Sequence, residues 1–294
     1  MTRPVTVGVD GFPESRAAAD WAAREALLRE SSLRVVHADE WPRIPAMPPV
    51  DRAEHQGWAD TVLEEASGEL RRRYPELAVS ARRVTGRAAA VLAVEAADSQ
   101  LLVLGSRGRG AVEGFLVGSV GTATVGLTDT PVVLVRPPGA SAPETPSTRA
   151  PVVGRDVVVG VDVHENADAV LAFAFDEAAR RGCGVRAVHG WPLPFAFSYA
   201  PRLDPGVRQE VADGIAAALG ERLRPWRGLY PSVKVEERVL VGAPAEQVLY
   251  EAAGAELVVV GRRIRRAPVG GHLGHVAHAV LHHATAPVAV IAHD

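Results

Sequence analysis

Short, continuous apolar runs alternate along this chain with longer stretches in which apolar residues recur at helical spacing. In VTVGV, LRVVHA, LLVLG and PVVLV the apolar positions are consecutive rather than alternate, the pattern of strands covered on both faces of a parallel sheet. The pattern predicts strands near 5–10, 33–38, 78–84, 101–105 and 131–135, with helices near 14–30, 55–74, 87–97 and 119–128. A second set of strands is predicted near 156–162, 185–190, 233–240, 257–261 and 287–292.

The second set repeats the first. VTVGVDG (5–11) matches VVVGVDV (157–163), RVVHADEWP (34–42) matches RAVHGWP (186–192), and LLVLGSRGRG (101–110) matches LVVVGRRIRR (257–266). The offset is 152 residues at Asp10/Asp162 and His37/His189, and 156 at Gly86/Gly242, Gly105/Gly261, Gly118/Gly274 and Pro131/Pro287. Between the copies lies a stretch rich in Pro, Ser, Thr and Ala, which reads as a linker. The expected organisation is a first domain over 1–137, a linker over 138–153 and a second domain over 154–294. Five strands joined by helices make each domain an α/β, doubly wound, Rossmann-like parallel sheet of order 3-2-1-4-5. Ligands in such sheets sit at the carboxyl ends of strands where the winding reverses, which directs attention to Asp10, His37–Ala38 and Gly105 and to their counterparts.

Composition narrows the classes. Apolar residues at 47% and charged residues at 23% fit a globular chain, and no apolar run is long enough to span a membrane. The N-terminal MTRPVTVGVDG has no secretory pattern, and a single cysteine, Cys183, excludes a disulfide framework and a cysteine-built zinc site. A cytoplasmic protein is expected. Residues 1–150 hold 17 Arg against 19 acids, and 151–294 hold 15 basic residues against 16 acids, so neither half carries the charge of a general nucleic-acid binder. The only lysine is Lys234, so the first half has neither a Walker-type phosphate lysine nor a Schiff-base lysine.

After the fourth strand comes GSRGRGAVEGFLVGS (105–119). Its glycines let backbone amides approach a ligand, and Gly118–Ser119 fall where a helix begins, with its free N–H groups and positive dipole end. On spacing alone two readings stand: a phosphate cradle, or a tight turn with a helix cap. There is no G-x-S-x-G elbow, no G-x-G-x-x-G after a first strand, and no Ser/Gly-rich phosphate loop after the first strand, where the chain reads DGFPES (10–15).

The spacing Gly-x2-Gly-x9-Gly-Ser, together with an aspartate closing the first strand and His37 and His189 near the end of the second, resembles the ATP-binding motif of the universal stress protein family, as a tandem pair covering nearly the whole chain. The resemblance implies an adenosine-nucleotide site in copy one. Asp10 and Ala38, with the flanking Val9 and Gly11, would lie near adenine and ribose. Gly105, Arg107 and Gly108 would follow the ribose and phosphates, and Gly118, Ser119 and Val120 would hold the phosphates. It further implies ATP, with or without Mg2+, in a stress or dormancy signalling role with no catalytic or metal-ligand residue. The other readings are a nucleotide-free interaction scaffold and a slow nucleotide hydrolase using Asp10 or Ser119. The expected partners are the nucleotide, an unidentified signalling protein and the chain itself: the fifth strands, PVVLVR and PVAVIA, would pair into an intramolecular pseudo-dimer, with a homodimer formed through helix surfaces.

Copy two departs from the motif, with Ile264 in place of the second glycine and His275 in place of the serine. A β-branched residue resists positive φ and adds bulk on the phosphate path. Arg262, Arg263, Arg265 and Arg266 read as a solvated loop, with anion binding as the alternative. His275, His278 and His282 share a helical face that can bind zinc or nickel, but no acid or cysteine accompanies them, so buried or capping roles are expected. His37 and His189 are expected to pack and bond to nearby backbone, the alternative being general bases, and Cys183 is expected to be a small half-buried side chain before a strand. The proline-rich WPRIPAMPP (41–49) and WPLPFAFSY (191–199) are expected to be lids beside each site, the alternative being that Trp41 and Trp191 merely anchor them.

Overall fold

The structure is a computed structural model and describes residues 2–40, 52–106, 118–137, 155–192, 205–264 and 273–294. The chain divides into two compact units. The first is built from strands β1 (Val5–Gly8), β2 (Leu33–Asp39), β3 (Val79–Thr85), β4 (Leu101–Gly105) and β5 (Val132–Val135), and helices α1 (Pro13–Leu28), α2 (Arg52–Arg73), α3 (Ala88–Ala97) and α4 (Ser119–Leu127). Its ladders are all parallel and give the order β3-β2-β1-β4-β5. The second unit contains β6 (Val157–Gly160), β7 (Val185–Trp191), β8 (Val235–Val241), β9 (Leu257–Arg263) and β10 (Val288–His293), with α5 (Asp168–Arg181), α6 (Pro205–Leu229), α7 (Pro244–Glu251) and α8 (His275–His283). Its parallel order, β8-β7-β6-β9-β10, is the same arrangement. Each unit therefore has the doubly wound order expected from its apolar runs. Among the described residues no helix is long and apolar enough to cross a membrane.

The continuous runs are continuous because both faces of the sheet are covered. Val5, Val7, Leu33, Val35, Leu101 and Val103 are fully buried, as are Val157 to Val159 in the second unit. Helix α1 presents a stripe of Ala18, Ala22 and Ala26, all without exposure. With no bulk on that face, α1 lies close against β1 and β4. Buried charges recur at matching positions. Glu25 pairs with Arg29 on α1 and Glu177 with Arg181 on α5. Glu95 meets Arg34 and Arg82, while Glu251 meets Arg186 and Arg238. A carboxylate taken out of water needs such a cation, so the repeat persists in the internal ion pairs as well as in the strands.

One boundary differs in kind. Strand β9 continues to Arg263 rather than stopping at 261, because Ala292 and His293 of β10 pair with Arg262 and Arg263. The solvated-loop reading is thereby corrected for Arg262, which is buried on a strand; Arg263 lies on the same strand but stays exposed, bonded to Glu165. Arg265 and Arg266 lie outside the described residues.

Candidate functional site

In the first unit the chain leaves β1 through Val9, whose N–H donates to Val36 O at 2.9 Å, and turns at Gly11, where φ is +82°. That left-handed conformation is one a side chain disfavours. The turn is locked by short polar contacts. Asp10 accepts the Phe12 N–H on Oδ1 at 3.1 Å, and Ser15 Oγ accepts the Asp10 N–H at 3.3 Å while donating to Phe12 O at 2.9 Å. Asp10 itself remains half-buried, at the mouth of the sheet.

His37 of β2 is buried, and its Nδ1 stands 2.8 Å from Val9 O. A carbonyl can only accept, so Nδ1 carries the proton and the ring bonds the end of β1 to β2. His189 does the same with Val161 O at 2.9 Å. Both histidines therefore have the packed role expected from the sequence. Ala38, one residue further, is half-buried at the same sheet end.

Gly105 ends β4, beside β1 in the ladder. A Cβ placed on it would come within 2.8 Å of Glu14 C, 2.9 Å of Glu14 O and 3.0 Å of Ser15 N. The first turn of α1 rests directly on this glycine. The chain continues into Ser106, whose N–H donates to Val135 O at 2.8 Å and whose carbonyl accepts the Gly118 N–H at 2.7 Å. The start and the end of the glycine loop are thus pinned together. Ser106 is 2% exposed, and its hydroxyl has no hydrogen-bond partner among the described residues.

Gly118 is the N-cap of α4 with φ −68° and ψ 150°, ordinary extended backbone, and among the described residues no side chain caps the helix. The amides of its first turn point off the helix end with no intrahelical acceptor. Ser119 and Val120 are exposed there. The fold therefore gathers Val9, Asp10, Gly11, Ala38, Gly105, Gly118, Ser119 and Val120 at one end of one sheet. Arg107 and Gly108 lie outside the described residues, as do 41–49 and 193–199 of the proposed lids.

The second unit has the same frame but a different mouth. Asp162 Oδ1 accepts the His164 N–H at 2.9 Å, matching Asp10. At Gly261 the three atoms nearest the Cβ position all belong to side chains. That position is filled by the His293 ring, 2.6 Å away at Nε2, and by Val170 Cγ2 at 3.2 Å. The Ile264 N–H donates to His293 O at 2.7 Å, which carries the β9–β10 pairing past the point where the first loop opens. Trp191 closes β7 as a buried residue on the strand, in keeping with the anchoring alternative. Cys183 is half-buried just before β7, and burial raises its thiol pKa. The histidines of α8 depart from the buried expectation. His275, His278 and His283 are exposed, with the His278 and His282 rings 4.4 Å apart. Among the described residues no group of three metal-ligating side chains is present.

Sequence reasoning overlooked one residue at the mouth. Trp58 of α2 packs against His37 and Gly11, and its only advance signal was a large aromatic in an otherwise polar helical stretch.

A sequence model of the "Universal stress protein family" matches residues 1–136 and 154–292. A universal stress protein of Mycobacterium tuberculosis strain H37Rv is 35% identical over 301 residues, covering 97% of this chain and 96% of the relative. One from Mycolicibacterium smegmatis is 33% identical over 298 residues, covering 98% and 96%. Among solved structures, a universal stress protein from Archaeoglobus fulgidus superposes with a TM-score of 0.67 at 16% identity over 99% of each chain, a likeness of fold.

Proposed function

This chain belongs to the universal stress protein family, and we propose that its first unit binds an adenosine nucleotide, ATP with or without Mg2+, at the carboxyl end of its sheet. The observation that carries this reading is the start of α4, a helix N-terminus without a side-chain cap among the described residues that is tied through the Gly118 N–H to Ser106 O beyond β4, on the side of the sheet where Asp10 closes β1. Uncapped amides and the positive dipole end favour a phosphate. Gly118, Ser119 and Val120 are assigned to the phosphates, and Gly105, Arg107 and Gly108 to the ribose–phosphate path. Val9, Asp10, Gly11 and Ala38 are assigned to adenine and ribose, with the second oxygen of Asp10 as an acceptor.

In this reading the nucleotide is a signal rather than a fuel. Its occupancy changes the choice of a protein partner during stress, in the cytoplasm and without rapid turnover. The domains follow the repeat, 1–137 and 154–294. We also propose that the short apolar edges of the fifth strands are covered by pairing within the chain, and that whole chains associate through helix surfaces.

Mass spectrometry of small molecules released from the denatured protein, with calorimetry of the stripped chain, tests the site. Intact ATP and one site per chain are expected. Gly118→Ala fits the φ of −68° and should fold normally, yet it places a methyl group at the phosphates and should weaken binding by about tenfold. Gly108→Val should weaken it at least as much. Two equivalent sites, an unchanged affinity in both variants, or no nucleotide at all would overturn the reading.

A further inference from the structure

Helices α3 and α4 pack side by side in the first unit, and their outward positions share one chemistry. On α3 the exposed residues are Ala90, Val94 and Ala97, spaced as one helical face. On α4 a matching stripe is formed by Val120, Ala123 and Leu127, all exposed. Val94 is 70% exposed and Leu127 57%. Neither helix carries a lysine, arginine or aspartate, and the single carboxylate, Glu95, is buried against Arg34 and Arg82. Of the eight large apolar side chains exposed among the described residues, three lie on these two short helices, so the exposure is concentrated rather than scattered. In the second unit the counterparts of Ala90 and Leu127 are Glu246 and His283, both exposed, so the fold alone does not demand an apolar face at these positions.

We propose that the α3–α4 face docks on the same face of a second copy of this chain; this rests on the reading above that whole chains associate through helix surfaces, and names the surface. Charge selects the occupant first. A charged partner surface would lose its water here and gain no counter-charge, so the matching face must itself be uncharged. The other large apolar side chains exposed among the described residues are spread over α1, α2, α6 and β8, which leaves the α3–α4 face as the one that matches itself. Area agrees. The six residues expose on the order of 400 Å², close to the apolar share of the roughly 800 Å² that each partner buries in a stable dimer. The spacing suits a two-fold contact. Ala123, small and central in its stripe, lets two copies of α4 approach, and an axis at Ala123 sets Val120 of each copy opposite Leu127 of the other. The stripe starts at Val120, assigned above to the phosphates, so pairing and nucleotide share the first turn of α4.

Sedimentation of the full chain over a range of concentrations measures the pairing. The wild type should run as a dimer that dissociates on dilution. Val94→Glu and Leu127→Glu should each weaken it by about tenfold or more, because a carboxylate would be buried against apolar groups. Circular dichroism should not change, since both side chains already stand in water. In a Cys183→Ser background, Ala123→Cys should give a disulfide-linked dimer under mild oxidation, as a residue beside the axis must. Leu229→Cys, at a position 68% exposed on α6, should remain unlinked. A wild-type dimer that survives both glutamate variants, or that links no better through Ala123→Cys than through Leu229→Cys, would overturn the α3–α4 face and leave association through another surface. A wild type that stays monomeric at its highest soluble concentration would overturn the association itself, and would leave this face to a different protein.

Discussion

The two units share a frame and differ at its mouth. In the first, β4 stops at Gly105, α1 sits on that glycine, and the chain departs to return at Gly118. In the second, the equivalent strand runs two residues further, Arg262 is buried in it, and the His293 ring occupies the space over Gly261. The histidine clamps between the first two strands, Val9 O to His37 and Val161 O to His189, are the same in both. The two sheet ends thus differ, among the described residues, in where the fourth strand stops. The strand order and buried ion pairs survive because they hold the core, whereas the mouth is free to change without unfolding it.

The largest expected effect tests the two glycines. In Gly105→Ala the new methyl group meets backbone atoms of α1 that cannot step aside, whereas in Gly261→Ala it meets mainly the far end of one side chain, which can rotate. Gly105→Ala should cost about 1–3 kcal/mol, and Gly261→Ala under about 1 kcal/mol. Denaturant unfolding of both variants measures the difference. Equal losses would show that α1 can shift, and would break the contrast.

A smaller effect concerns the other end of the sheets. Arg186 starts β7 at 4% side-chain exposure, with Glu236 beside it at 2.9 Å and Asp156 at 3.3 Å. Its counterpart Arg34 is paired in the ladder with Ser80, which cannot ionise, where Arg186 has Glu236. The hydrogen bond from Arg186, aided by the charge of Arg238, lowers the carboxyl pKa of Glu236 below its ordinary 4.5. A lowered folded-state value means that the stabilisation is present above about pH 4.5 and is lost as pH falls through the folded value. Glu236→Gln should therefore cost stability at pH 7, with a deficit that closes below pH 4.5. Because Glu236 is 44% exposed, solvent screening should hold the deficit within about 1 kcal/mol. Unfolding curves from pH 7 to pH 3 measure it, and a deficit that grows on acidification would refute the assignment.

These contrasts also mark what could be read in advance. Strand positions and order followed from consecutive apolar residues and the right-handed crossover, both local or general rules. The packed histidines followed from their place at strand ends. The extension of β9 was hidden because GRRIRR has no local strand pattern, and only its ladder with β10 makes it one. Trp58 was hidden for a related reason, since its contact with Gly11 spans two helices and a strand in sequence. The glycine motif carried its spacing, but not the fact that Gly105 is required first by the close approach of α1.

The smallest effect is expected where sequence charge is most conspicuous. Arg263 bonds to Glu165 across the mouth of the second unit, joining the end of β9 to the loop after β6. Such a bridge resembles a latch, and opening it would be an obvious way to restore a nucleotide site. The side chains are 50% and 36% exposed, however, and a pair so open to solvent contributes about 0–1 kcal/mol. Its removal leaves the ladder from Ala292 to Arg262 and the bond from Ile264 N–H to His293 O in place. Those backbone contacts, together with the His293 ring beside the Cβ position of Gly261, are what set this sheet end apart from that of the first unit. Arg263→Ala should accordingly leave stability almost unchanged and the ATP stoichiometry at one per chain by calorimetry. A second site appearing in Arg263→Ala would mean that the ion pair, and not the longer strand, separates the two units.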